Sequence, residues 1–455
     1  MSFNYFSCND SKRLYFLIRF GMGLALAFGL ASALLWYEHQ LFKTAIAGVY
    51  LQAWPSEVMM QTLSIEDLRD EPLQSLWYLH IQPPMLDGIR AIFANLSNAS
   101  DLLSLQYDVD RSLYFSWAIL YGFFTFFIFW WISQLTNNWF ALGATLFFSL
   151  NPSVLLYATL LESTFLSPFF ILFFVYTLWK IKAGTSVPVF LPITVFIALF
   201  FTRSLFQWQF LLVVIFSLVL MNYPRKKIIQ FGLIVGMIIG LYIFKQATIF
   251  GISTTSSFIG LNLCNSIQAC RGHEINPNVL KSFEQLNAGV LYRAKKITGS
   301  ENYNHYSHLQ INKEYLNDYR QKLSELSWMN LMIIYYQNLR IYLKPSSNYA
   351  SDNHLIVSLP KRWLAYYESL FSYPFFPAIL LSAIVFWGCN AKRSDYKAAL
   401  GIAIPIVAIF LISILFESGE NMRFKFFIEP VLYIFIVSQI YILLKIGIKK
   451  FQLTS

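Results

Sequence analysis

The sequence predicts an all-α polytopic membrane protein. It would have about ten transmembrane helices, interfacial helices in a first outer loop, and a small, mainly helical domain outside the membrane. Three observations predict this fold. Of 455 residues, 56% are hydrophobic and 13% charged, whereas a soluble domain carries roughly a quarter charged residues. The apolar residues come in runs long enough to cross a bilayer, which takes about 20 residues, or somewhat fewer where neighbours adapt. The basic residues collect at alternate ends of those runs. The net charge of +10 therefore reads as orientation and contact with anionic membrane lipids, not as nucleic-acid binding.

The runs lie near residues 14–36, 112–133, 139–160, 163–181, 187–202, 205–221, 228–246, 373–391, 398–416 and 426–447. The fifth and sixth are separated by Thr202-Arg203-Ser204, so they read as two spans or as one broken helix. With the N-terminus in the cytoplasm, the inner segments hold Lys12, Arg13 and Arg19; Lys180 and Lys182; Arg225, Lys226 and Lys227; Lys392, Arg393 and Lys397; and Lys445, Lys449 and Lys450. The short turn 134–138 is the exception. Both termini then face the cytoplasm, as the positive-inside rule requires. The first run is too long for a removed signal peptide and lacks its small-residue cleavage site.

Three parts follow: an N-terminal membrane module (1–246) containing the first outer loop (37–111), an outer domain (247–372), and C-terminal transmembrane helices (373–455). In the loop, "AIAGVYLQAW" and "SIEDLRDEPLQSLWYLHIQPP" have the pattern of amphipathic interfacial helices. The outer domain is polar, with helical stretches such as "INKEYLNDYRQKLSEL". It contains Cys264 and Cys270, which an oxidising compartment would allow to pair; two free thiols are the alternative. His305 and His308 share a helix face but lack a third metal ligand, so they read as a polar face.

Ionisable groups at membrane depth are costly and are functional candidates for that reason. Here they share one side. Glu57 ("AWPSEV") and His80 ("HIQPP") lie in the first outer loop, Glu162 ("YATLLESTF") and Arg203 ("FTRSLFQW") at the next two outer turns, and Glu417, Glu420, Arg423 and Lys425 in the last ("FESGENMRFKFFIEP"). Pro83 and Pro84 stop the interfacial helix, because each lacks an N–H and clashes with the preceding turn. That stop leaves His80 and Gln82 at the mouth of a site. Cations there would neutralise a phosphate leaving group, and a carboxylate would take a proton from an acceptor hydroxyl or amine. Each residue also has an ordinary reading: a helix-end His, a solvated loop acid after Pro55, an acid favoured by a helix N-terminus, a snorkelling Arg203, and Arg423 as an interfacial anchor.

In these features the chain resembles the C-type membrane glycosyltransferases, which include protein O-mannosyltransferases and the aminoarabinose transferases of lipid A. The likeness rests on the first-loop acid followed by His80-Ile-Gln-Pro-Pro84, on Asn151-Pro152 through Glu162, and on "GENMRFKFFIEP". The last is similar to an Arg-x-Arg/Lys-x-x-x-(Glu/Asp)-Pro element. It covers the N-terminal half and the C-terminal end; the middle loop has no counterpart. The resemblance implies a polyprenyl- or dolichyl-phosphate sugar donor, a lipid, glycan or protein acceptor at the outer face, and inversion at the anomeric carbon. It implies Glu57 as general base, with Glu66, Asp67, Asp70 and Glu71 as competitors, although many relatives have Asp or Asp-Glu where this chain has Ser56-Glu57. Glu162 would position the acceptor or a divalent metal ion; the acids could serve with an ion or without one. Arg203, Arg423 and Lys425 would hold the donor phosphate, with His80 and Gln82 as further ligands. The compact turns favour a bacterial inner membrane with a periplasmic site over an endoplasmic-reticulum enzyme. Two other readings are a secondary transporter or lipid flippase, which would carry midplane charges on broken helices, and a polymerase or ligase of lipid-linked glycans.

Overall fold

The computed structural model describes residues 8–44, 55–273, 288–296, 298–350, 359, 361–372 and 396–454. Among them the fold is helical, apart from an isolated antiparallel bridge between Lys295 and Glu301. Four stretches are long and apolar enough to cross a membrane: Arg13–Gln40 of α1 (Cys8–Thr44), α5 (Leu102–Leu135), α11 (Arg225–Phe250) and Met422–Ile446 of α18 (Met422–Thr454). A fifth is α6 (Asn138–Ser149) with α7 (Pro152–Thr159), bent by 61°.

The run at 139–160 is thus broken into two helices. Asn151 caps α7 by accepting the Ser153 N–H (2.9 Å). Pro152 takes the first helical position, where its missing N–H costs nothing. The fifth and sixth runs form separate helices, α9 (Phe190–Thr202) and α10 (Trp208–Leu220), each of 13 residues. Such a helix is about 20 Å long, short of the ~30 Å hydrocarbon core. Another apolar helix, Ala399–Leu415, lies within α17 (Tyr396–Leu415). The run at 373–391 and the segment "AIAGVYLQAW" lie outside the described residues.

The core is aromatic. Trp117, Tyr121, Phe124 and Trp131 of α5 are buried, as are Phe148 of α6 and Tyr157 of α7. Tyr157 stacks on Phe426 and Phe148 on Tyr433, both with ring centroids 4.6 Å apart. At one end of the bundle Tyr15 and Arg19 donate to Asn138 (3.3 Å each), Lys180 donates to Gln134 (3.0 Å), and Asn137 donates to Tyr441 (3.2 Å). The segments given to the cytoplasm by their charge or their place in the chain thus meet each other.

Toward the other end of α5, the first loop supplies α2 (Ile65–Asp70), α3 (Pro72–Trp77) and α4 (Met85–Leu96). The outer region supplies α12 (Ile259–Ser266), α13 (Gly289–Tyr292), α14 (Tyr306–Glu325) and α15 (Trp328–Tyr342). The two share one apolar core, in which Leu63, Leu68, Leu79 and Ile81 meet Phe250, Phe258, Leu291 and Leu309. Cys264 and Cys270 form a disulfide at the end of α12. His305 caps α14 by accepting the Ser307 N–H (3.3 Å), and His308 pairs with Glu301 (3.1 Å). No group of three metal-ligating side chains occurs among the described residues.

α12 approaches α14 closely because residue 260 has no side chain. A Cβ there would lie 1.8 Å from the Asn312 carbonyl oxygen. Gly260→Ala is expected to destabilise the protein by about 1–3 kcal/mol, the usual cost of overpacking. A Cβ at Gly272 meets nothing within 4 Å, so Gly272→Ala is the control. Equal thermal midpoints for the two variants would contradict this packing.

Candidate functional site

A cavity of about 510 Å³ opens where the loops meet the helix ends. Val58–Thr62, Gln82 and Leu86 line it from the first loop, and Glu162, Ser163 and Arg203 from the bundle. Phe258, Leu261, Asn262 and Asn265 come from the α12 region. Asn348, Tyr349, the turn 417–420, Met422 and Arg423 complete the wall.

The charged face is assembled from short, defined pieces of backbone. After α7, the Glu162 N–H donates to the Leu160 carbonyl (2.8 Å), and this tight turn presents the carboxylate. The Thr164 hydroxyl donates to Glu162 and accepts from the Arg203 guanidinium. Arg203 caps the C-terminus of α9. Its Nη2 lies 3.7 Å from one Glu162 oxygen, and Arg423 Nη1 lies 3.8 Å from the other. These are ion-pair separations, too long for hydrogen bonds. Arg423 donates to the Tyr349 hydroxyl (2.7 Å), pairs with Glu420 (2.9 Å), and sits 4.7 Å over the Tyr349 ring.

Both arginines are 6% exposed. The Nε of each is buried without a hydrogen-bond partner among the described residues. Burial, reinforced by the Arg423 charge, holds the Arg203 pKa below its usual value. An unmet buried charged donor is costly, and both arginines line the cavity. Glu417, also buried, borders the same space, and burial pushes its carboxyl up to about 8.

Of the residues singled out in the sequence, Glu162, Arg203, Glu417, Glu420, Arg423 and Gln82 line this cavity. Gln82 also donates to Asp87 (3.0 Å). Three others do not line it. Glu57 is fully buried, and its Oε2 accepts from Arg90 (2.7 Å) and from the Ile65 N–H (3.1 Å). Its carboxylate turns to Arg90, with Oε1 unpartnered among the described residues, while its neighbours Val58–Thr62 form the wall. His80 is fully buried, with Nδ1 2.9 Å from the Ser257 hydroxyl and Nε2 2.9 Å from the Asn304 carbonyl. Burial holds its pKa down to about 3. Its ring joins the first loop to the outer region and does not line the cavity. Lys425, fully buried, donates to the Lys344 carbonyl (2.6 Å) and faces Glu429 (3.7 Å).

The competing acids Glu66 and Asp67 pair with Arg293 (3.4 and 2.9 Å), and Asp70 with Arg69 (3.0 Å). Burial raises Asp67 to about 6. Sequence reasoning missed Thr164 and Tyr349 and gave Glu417 no role. Thr164 was findable two residues beyond Glu162, whereas Tyr349 lies in the middle region without a motif. The chain matches no protein-family profile and no curated protein sequence.

Sulfate, which does not titrate near neutrality, is a clean probe of this face. Arg203→Gln or Arg423→Gln is expected to weaken sulfate binding on the order of 10- to 100-fold, as loss of a charged hydrogen bond does. Glu417 is neutral below about 8 and anionic above it. Sulfate affinity should therefore fall as pH rises through that value, and Glu417→Gln should flatten the profile. Isothermal titration across pH checks both; a flat wild-type profile contradicts the placement of Glu417.

Proposed function

We propose that the protein is a membrane glycosyltransferase that takes a sugar from a polyprenyl-phosphate donor and passes it to an acceptor in this cavity. One observation carries the reading: two buried arginines with unmet Nε donors face a cavity that also has an apolar wall, Val58, Met59, Met60, Leu86, Phe258 and Leu261. A prenyl phosphate combines those two chemistries. The proposal includes ten membrane crossings, cytoplasmic termini and a periplasmic cavity, which the charge pattern supports.

The reaction is a displacement at the anomeric carbon. The acceptor O–H or N–H gives its proton to a carboxylate while its heteroatom bonds to that carbon. The carbon–oxygen bond to the phosphate breaks, and the phosphate leaves with the electron pair. Arg203 and Arg423 neutralise the charge that develops there. Glu162 lies between the two guanidinium groups and aligns them. Glu417 takes over the base role first given to Glu57, because a carboxyl raised toward neutrality by burial suits proton transfer.

A transport reading draws on the 61° break between α6 and α7, since discontinuous helices line many transporter sites. Purified protein given a radiolabelled polyprenyl-phosphate sugar separates the two. Wild type is expected to release polyprenyl phosphate. Glu417→Gln should slow this about a hundred- to ten-thousandfold, the range of general-base contributions, with donor binding kept. Normal turnover in that variant removes Glu417 as base. Donor that crosses a liposome membrane intact, with no sugar released, makes the protein a flippase instead.

A further inference from the structure

The cavity wall Val58–Thr62 belongs to an irregular loop. Within it the Val58 N–H reaches the Pro55 carbonyl (3.0 Å), and the Thr62 hydroxyl reaches the Ser56 and Met59 carbonyls (2.7 and 2.9 Å). From behind, a lysine far along the chain holds this wall. Lys296 Nζ donates to the carbonyls of Glu57 (2.7 Å) and Met59 (2.9 Å) and to the Thr62 hydroxyl (3.0 Å). Three acceptors match the three protons of an ammonium group, which makes burial of Lys296 at 3% exposure tolerable. The lysine backbone is itself fixed. Its N–H donates to Ser300 (2.8 Å), and its carbonyl accepts from Gly299 (2.9 Å). Gly299 has φ +83°, a conformation that glycine adopts without strain.

This wall differs in kind from the arginine face. Val58, Met59 and Met60 give the cavity apolar surface, while Arg203 and Arg423 give it charge. The Lys296 ammonium hydrogen-bonds to the first, not to the second. We infer that Lys296 is a positioning residue for substrate: it clamps the 58–62 wall against which the lipid tail of a prenyl phosphate packs. This rests on the reading of the cavity as a lipid-phosphate site. It gives the outer region a part in substrate binding that its sequence alone did not reveal.

The test uses the full-length protein in lipid nanodiscs with two probes, farnesyl phosphate and inorganic phosphate. Lys296→Met is expected to weaken farnesyl phosphate binding about tenfold, the effect of roughly one lost hydrogen bond. Inorganic phosphate binding should stay within about twofold. Hydrogen exchange should rise at Val58–Thr62 and stay unchanged in α5. Thr62→Val removes one acceptor, keeps the lysine and should give a smaller loss in the same direction; it carries the test if Lys296→Met fails to fold. Equal loss of both probes, or unchanged exchange at 58–62, overturns the assignment. A wild type that binds inorganic phosphate but not farnesyl phosphate removes the lipid reading and this role with it. The exchange result still decides, separately, whether Lys296 holds the wall.

Discussion

A guanidinium ion buried in an apolar wall must find negative charge and hydrogen-bond acceptors, and the site depends on that constraint. Arg203 and Arg423 sit within ion-pair reach of one carboxylate, Glu162. Their mutual repulsion is offset by Glu162, and on the Arg423 side by Glu420. The offset is incomplete, because each keeps a buried Nε without an acceptor. A third buried arginine shows the contrast. Every nitrogen of Arg90 finds a partner: Nε reaches Ser56, Nη1 reaches Leu63 and Asp87, and Nη2 reaches Glu57. That network joins the first loop to α4, with Glu57 Oε1 left without a hydrogen-bond partner among the described residues. Arg203 and Arg423 instead line the cavity.

The Arg90 network holds the Glu57 carboxylate, which does not line the cavity. Glu57 and His80 have the chemistry of ligands, and both lie within a few residues of the cavity. Their polar atoms instead join the first loop to α4 and to the outer region. His80 connects to Ser257 and Asn304, and Glu57 to Arg90, while the Glu57 carbonyl is held by Lys296. Such stitches make the wall rigid. In a membrane protein the loops cannot rely on burial in lipid for their order, so buried polar contacts serve instead. The function of the wall then depends on residues that never touch a ligand.

Much of this was legible in the sequence. Composition and apolar runs indicate a helical membrane protein, and α1, α5, α11 and α18 answer to long runs. The convergence of Glu162, Arg203 and Arg423 was legible too, because each stands where a run ends on the same side. The break at Asn151-Pro152 was visible as a capping residue followed by proline, within a run whose length suits one crossing. Tyr349 and Lys296 were not legible. Their meaning comes from contacts far along the chain, Lys296 with the first loop and Tyr349 with Arg423 and Tyr157, and no local pattern encodes that. Glu57 misled because a loop acid next to a motif looks the same whether it faces a cavity or an arginine.

The proposed function places a lipid phosphate against Arg203 and Arg423. An experimental structure with polyprenyl phosphate bound at saturation tests it most directly. The account requires phosphate oxygens within about 3 Å of both guanidinium groups, with the first isoprene units against Val58, Met59 and Met60. Phosphate density elsewhere, with these arginines still facing an open cavity, would contradict it.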